Sequence, residues 1–267
     1  MNGIKIGCIG IGVMGSALME AVVQTTGQGS LTVYDPDRIK LEAFCRKTGA
    51  APAPDNASIA ASCDWVFLAV KPQYLPEVLA AVSHSLKSET ILVSMAAGVQ
   101  ISKIRESTAG HRRIVRIMPN TPASVGSGVI AIAADPSVSQ AETEELQRML
   151  SSAGITETTP ESLMDAVTAI SGSGPAYGYV FIDALADAAV QMGMPRAQAL
   201  RYAAATLRGA GDMVLKTGTH PAVLKDAVCS PGGTTIAAVT ELEESGFRAA
   251  VIKAARSAWK RSRELGS

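Results

Sequence analysis

The sequence predicts an α/β fold in two parts: a doubly wound, mostly parallel sheet domain over residues 1–160 and an all-helical domain over residues 161–267. Three observations carry this. In the first part short β-branched runs alternate with alanine-rich, polar-faced stretches; a glycine turn separates the first run from the first helix; and beyond TETTPES apolar residues recur only at helical spacing. A chain of 267 residues suits two domains better than one core.

In chain order, KIGCIG, LTVYD, WVFLAV, TILVSM, RIVRIM and VIAIA read as strands. Their apolar residues are consecutive, as parallel strands buried on both faces require. Gly10, Gly12 and Gly15 form G-x-G-x-x-G directly after the first run and before SALMEAVVQ, with Ile11, Val13 and Met14 in the same loop. At a strand-to-helix turn these glycines let the backbone approach a pyrophosphate at the positive helix N-terminus, which is the Rossmann-type arrangement.

Asp35 closes LTVYD twenty residues after Gly15, where a carboxylate would bind adenosine ribose hydroxyls. Asp35-Pro36 also reads as an N-cap with proline at the first helical position, and the two readings are compatible. Asp35 would repel a 2′-phosphate and favours NADH; Arg38 could neutralise one and permit NADPH. Both cofactors stay open. Ala69-Val70-Lys71-Pro72, Ala96-Ala97-Gly98 and Pro119-Asn120-Thr121-Pro122 follow strand ends and would make a floor for a flat ring, although each also reads as loop punctuation.

In the second part, Leu200, Ala203, Ala204 and Leu207 recur at helical spacing. Alanine on nearly every face asks for helices buried on more than one side, which about a hundred residues scarcely achieve alone; a second copy of the chain would supply the cover, as an intertwined homodimer. Gly174 and Pro175 in SGSGPAYGY force a helix to kink or restart. Near the end comes a second glycine turn, Ser230-Pro231-Gly232-Gly233-Thr234-Thr235. Pro231 cannot donate, the glycines accept positive φ, and Thr234 or Thr235 can cap a helix running to about Gly246. Such an open helix start binds an anion, or is simply capped and binds nothing. With the phosphates assigned to the first turn, a carboxylate-bearing second substrate fits here.

Composition narrows the classes. Lysine plus arginine and aspartate plus glutamate are 24 each, so there is no basic footprint for nucleic acid. No apolar run reaches membrane-spanning length, and MNGIKIGCIGIGVMG reads as a core strand rather than a signal peptide. Cys8, Cys45, Cys63 and Cys229 stand far apart without a C-x-x-C pair, which argues against a metal centre or disulfide framework and for a reducing cytoplasm. His84, His111 and His220 read as solvated, and Cys229 as an inert thiol without a histidine partner.

The segments IGCIGIGVMG, FLAVKPQ, MAAGV, RIMPNTP, DAVTAISGSGPAY, ADAAVQMGMP and HPAVLKDAVCSPGGTT follow one another over almost the full length, and on them the chain resembles the pyrroline-5-carboxylate reductases, the last enzymes of proline biosynthesis. The resemblance implies a Rossmann-type domain, a helical domain interlocked with a second subunit, active sites shared across that dimer, and further assembly into rings as an open question. It implies that Asn56, Val70, Lys71 and Ala97 join the glycine turn in holding NADPH or NADH. It also implies that the substrate carboxylate meets Ser230 and the backbone of Gly233 and Thr234 in the turn around Gly232, that Glu161 lies near the substrate, and that the Thr235 hydroxyl reaches the ring nitrogen as the catalytic residue. The implied reaction is hydride transfer from C4 of the nicotinamide to the imine carbon of 1-pyrroline-5-carboxylate, giving L-proline.

Two residues depart from the family's habit: Ala227 stands where relatives often carry an amide, and Asp35 where others use a small polar residue. The alternatives are a reductase of another cyclic imino acid, a reductase of β-hydroxy acids, for which Lys216 and Lys225 lack the expected helical setting, and a non-catalytic NAD(P)H-sensing dimer.

Overall fold

The computed structural model describes residues 3–27 and 29–266. Residues up to Ser173 together with those from Ala258 onward form one compact unit, and Gly174–Ser257 forms a second.

The first unit is built on eight strands: β1 (Ile6–Ile9), β2 (Leu31–Tyr34), β3 (Ala51–Pro52), β4 (Trp65–Leu68), β5 (Ile91–Ser94), β6 (Ile114–Met118), β7 (Gly128–Ala134) and β8 (Gly154–Thr158). They lie in the order β3-β2-β1-β4-β5-β6-β7-β8. All neighbours are parallel except β6 and β7. Strand order therefore reverses at β1, and the crevice between the carboxyl ends of β1 and β4 is the switch point where such sheets take ligands. Every residue of β1, β4 and β5 is buried, in keeping with their unbroken apolar runs.

Helices α1 (Val13–Thr26), α2 (Arg38–Thr48), α3 (Asn56–Ser62), α4 (Leu75–Ser83), α5 (Ile101–Ser107) and α6 (Gln140–Leu150) return the chain between strands. Two cores result. One packs Leu18, Phe44 and Leu146 from α1, α2 and α6 on one sheet face; the other packs Ile59, Leu79 and Ile104 from α3, α4 and α5 on the opposite face. The helix starts carry the caps their sequences encode: Asp37 accepts from Lys40 N, Asp55 from Ser58 N, and Ser139 forms a reciprocal capping box with Glu142. Asp35 does not cap α2; Asp37 does, because the helix begins two residues later, after Pro36-Asp37.

Among the described residues no strand follows Thr158. A helical turn, α7 (Met164–Val167), widens into a π turn at Thr168–Gly172, and Ser173 N bonds back to Thr168 O at 2.8 Å before the next helix opens at Gly174-Pro175. The proline thus makes the helix restart, as its missing N–H and ring clash demand. Then come α8 (Gly174–Gln191), α9 (Arg196–Thr217), α10 (Pro221–Ala227), α11 (Thr234–Glu244) and α12 (Phe247–Gly266). In the second unit α8 and α9 pack through alanines: Ala186, Ala199 and Ala203 are buried together. Their neighbours Leu200 and Ala204, part of the same apolar spacing, are exposed.

Candidate active site

At the first glycine turn each glycine has its own reason. Gly10 has φ 97°, a conformation costly for a side chain, and a Cβ there would lie 2.7 Å from the Ala69 carbonyl. A Cβ on Gly15 would lie 2.4 Å from the Gly10 carbonyl, so the helix could not sit against the strand. A Cβ on Gly12 would meet nothing within 4 Å. The middle glycine is therefore open space kept for something outside the chain, beside an α1 start whose N-cap, Gly12, offers no side-chain acceptor.

Asp35 locks this loop to the end of β2. One carboxylate oxygen accepts from Ile11 N at 2.7 Å and the other from Asp37 N at 2.9 Å. A cavity of about 420 Å³ opens beside it, and of the cofactor candidates Gly10, Gly12, Asp35, Asn56, Ala69, Val70 and Lys71 line it. Ile11 is buried beneath, joined to Asp35; Met14 packs on the core; Val13 points outward at the first position of α1. Gly15 is spent on the close helix approach, and Pro72 opens a short turn, Pro72–Tyr74. Ala96 is buried in the core under α4 and α5, and neither it, Ala97 nor Gly98 lines this cavity. Arg38 lines a different hollow, with Glu42 and Arg46, and the lysine that reaches the cavity from α2 is Lys40.

Sequence reasoning missed one wall of this cavity. Tyr74, Glu77, Val78 and Ala81 all line it. Their spacing of three, one and three is one helix face, so the pattern after Lys71-Pro72 held the signal. Asn56, the first residue of α3, lines the same cavity, and its buried Oδ1 has no hydrogen-bond partner among the described residues.

Glu161 and Gly98 line a second, polar hollow of about 420 Å³ with Gln100, Arg116, Ser162, Asp165 and Arg263. Glu161 is already engaged: Oε1 accepts from Ile101 N at 2.7 Å and faces the buried Arg116 guanidinium at 3.4 Å. Beside it Asp165 accepts from the buried Ser262 hydroxyl at 2.7 Å. Asn120, expected at the floor of the ring site, instead bridges β7 and the π turn, accepting from Val129 N at 2.9 Å and donating to Ser171 O at 3.0 Å.

The second glycine turn belongs to the second unit. Gly232 has φ 66° with nothing within 4 Å of a would-be Cβ, and Gly233 N donates to Ser230 O at 3.0 Å. Gly233 is the N-cap of α11, with no side-chain cap, so Thr234 and Thr235 are its first two residues and neither caps it, contrary to expectation. The reason is local. The turn closes on Gly233 itself, which draws both threonines into the first helical turn. The N–H groups of Thr234, Thr235 and Ile236 then have no acceptor within the helix, and Ser230, Thr234 and Thr235 gather at one helix start.

Residues 161–265 match the family model described as pyrroline-5-carboxylate reductase dimerisation, and residues 5–98 match that described as NADP oxidoreductase, coenzyme F420-dependent. A pyrroline-5-carboxylate reductase of Escherichia coli is 42% identical over 98% of both chains, and one of Methanosarcina acetivorans 43% identical over 100% of this chain and 99% of that one. The chain belongs to the pyrroline-5-carboxylate reductase family. The crystal structure of the Plasmodium falciparum pyrroline carboxylate reductase with NADP bound superposes on it with a TM-score of 0.89, at 34% identity and full coverage of both chains.

Two lysines and two histidines considered for other chemistries are engaged elsewhere among the described residues. Lys216 and Lys225 do lie in helices, in the last turns of α9 and α10, which corrects the expectation of loop positions; each is held by a carboxylate, Asp212 at 3.2 Å and Asp226 at 2.7 Å. His220 is not merely solvated but N-caps α10, its Nδ1 accepting from Ala222 N at 3.2 Å. His111 is half-buried with its Nε2 at 2.8 Å from Thr90 O, and burial lowers its pKa below the ordinary histidine value. Cys8 lies under the first glycine turn, where burial and the Asp35 carboxylate push its thiol far above the usual range, so it is no nucleophile. Among the described residues no group of His, Cys, Asp or Glu could hold a metal, and no helix is long and apolar enough to cross a membrane.

Proposed function

We infer that this chain reduces the C=N bond of 1-pyrroline-5-carboxylate to give L-proline, the last step of proline biosynthesis, with NADPH or NADH as hydride donor. The observation that carries the reading is the pair of glycine turns within a full-length family match: one leaves Gly12 open on a nucleotide-sized cavity, the other opens an uncapped helix start rich in hydroxyls.

Gly10, Gly12, Asp35, Asn56, Ala69, Val70 and Lys71 fit a dinucleotide, since they line one cavity and the Gly12 gap leaves room for ligand atoms. When bound, the reduced nicotinamide supplies a hydride for the imine carbon. The chain's own part is to bind, orient and exclude water. The substrate carboxylate is assigned to the Ser230 hydroxyl and the Thr234 N–H, with Gly232 and Gly233 shaping the turn. The Gly233 N–H is already spent on Ser230 O, and the helix dipole adds to the attraction.

Hydride attack would leave negative charge on the ring nitrogen unless that nitrogen carries a proton, so the protonated imine is the better electrophile. Thr235 is assigned to hold that nitrogen by a hydrogen bond; its hydroxyl is too weak an acid to be an independent proton source and acts by orientation or by relay from water. Glu161, paired with Arg116 and Ile101 N, is assigned to shaping its end of the first unit and not to direct proton transfer.

The protein is assigned to the cytoplasm and to a homodimer built through the helical unit, with rings of dimers as a further step. The exposed apolar side chains of that unit support the dimer. Purified protein should oxidise NADH or NADPH when pyrroline-5-carboxylate is added. Nucleotide binding with no such turnover would replace this reading by a sensing role.

A further inference from the structure

Given that the first glycine turn holds the nucleotide, we propose that this chain selects NADH over NADPH, and that Asp35 makes the choice. The two cofactors differ at one place, where the adenosine ribose carries a 2′-hydroxyl in NADH and a 2′-phosphate in NADPH. A hydroxyl can donate a hydrogen bond; a phosphate that is mostly dianionic at neutral pH can only accept.

The side chain at the end of β2 presents acceptors. Asp35 is fixed by Ile11 N at 2.7 Å and Asp37 N at 2.9 Å, so it cannot turn its charge away from an incoming phosphate. Each of its oxygens keeps a second lone pair for a ribose hydroxyl.

The cations that would welcome a phosphate are offset. The charged groups lining the cavity are Asp35 from β2, Lys40 from α2, Lys71 after β4 and Glu77 from α4, two of each sign. Lys40 is also held by Asp37 at 3.0 Å. Arg38, whose planar fork would suit a phosphate best, lines the separate hollow with Leu41, Glu42 and Arg46. A 2′-phosphate would thus bring about two negative charges to a wall without net positive charge, with a fixed carboxylate beside it.

The test is direct binding to the purified dimer without substrate, by titrating the fluorescence of each reduced nucleotide. The native chain should bind NADH tighter than NADPH by about tenfold or more, the scale of a like-charge contact. Asp35→Ser should reverse or erase the ratio, chiefly by tightening NADPH. Because that change also removes the acceptor for Ile11 N, Asp35→Asn is measured beside it. The amide keeps one oxygen for the loop and removes the charge, so NADPH should again gain. Equal or tighter NADPH binding by the native chain, or an unchanged ratio in a folded Asp35→Asn protein, overturns the proposal. Failure to bind either nucleotide would instead remove the nucleotide site on which the proposal rests.

Discussion

At Gly10–Gly15 the outer glycines are pressed against the chain's own backbone and only the middle one faces open space, whereas at Ser230–Thr235 Gly232 has open space around it and Gly233 meets only the Ser230 residue. The surroundings differ in the same sense. The first turn rests on strands buried along their whole length, while α11, which the second turn begins, has no buried residue at all. One site is thus completed by its own fold. The other lies in a unit whose apolar side chains stay in water, as at Val180 (72% exposed) and Ile252 (54% exposed). A lone chain rarely leaves so much apolar surface unpaired, and a second copy would cover it.

The largest effect should come from breaking that cover. Ile252→Glu or Val180→Glu, which would place an unpaired charge in the proposed interface, is expected to convert the dimer to monomer in sedimentation and to abolish turnover while nucleotide binding persists. A native chain that sediments as a stable, folded monomer at micromolar concentration would instead remove the interface.

Next comes a contrast within the first turn. Gly12→Ala should change thermal stability little, because its Cβ meets no protein atom, yet weaken nucleotide binding roughly a hundredfold by filling the space the ligand needs. Gly15→Ala should do the reverse of this in order: its Cβ collides with the Gly10 carbonyl, costing about 1–3 kcal/mol of stability in chemical denaturation before any effect on binding is read. Equal stability losses in the two variants would contradict the division of roles.

The smallest effect is a pH dependence confined to the first unit. His111 is held neutral by burial, with its folded pKa lowered. On acidification the unfolded chain takes up the proton first. The stability it contributes is therefore fully present above the ordinary histidine pKa of about 6.5 and is lost as pH falls toward the lower folded value. Denaturation midpoints should fall more for the native chain than for His111→Asn over that interval.

Much of the first unit was legible because burial on both faces writes a consecutive apolar run, as in β1, β4, β7 and the first three residues of β5, whereas Thr32 interrupts β2 and Arg116 interrupts β6. Two strands were not. β3 is two exposed residues ending in proline, and β8, GITET, is a half-exposed edge whose polar residues look like loop. The glycine turn was legible as a motif, but the role of Asp35 was not fully so. Its bond to Ile11 N spans 24 residues, and a sequence shows no such distance. The same holds for Glu161, whose ion-pair partner Arg116 lies 45 residues away. At the second turn a helix start was expected and is present, but its cap is Gly233 and not Thr234 or Thr235, since the closing bond to Ser230 O sets the cap there.

The central claim is that the two turns hold two different substrates, and Thr235→Ala tests it most directly. Kd for the reduced nucleotide and kcat/KM for pyrroline-5-carboxylate are measured on the same preparation. Kd should stay unchanged while kcat/KM falls by about 10²-fold, the usual scale for a positioned acid–base group. An unchanged kcat/KM, or a loss of nucleotide binding along with it, would mean that the two turns do not hold two different substrates.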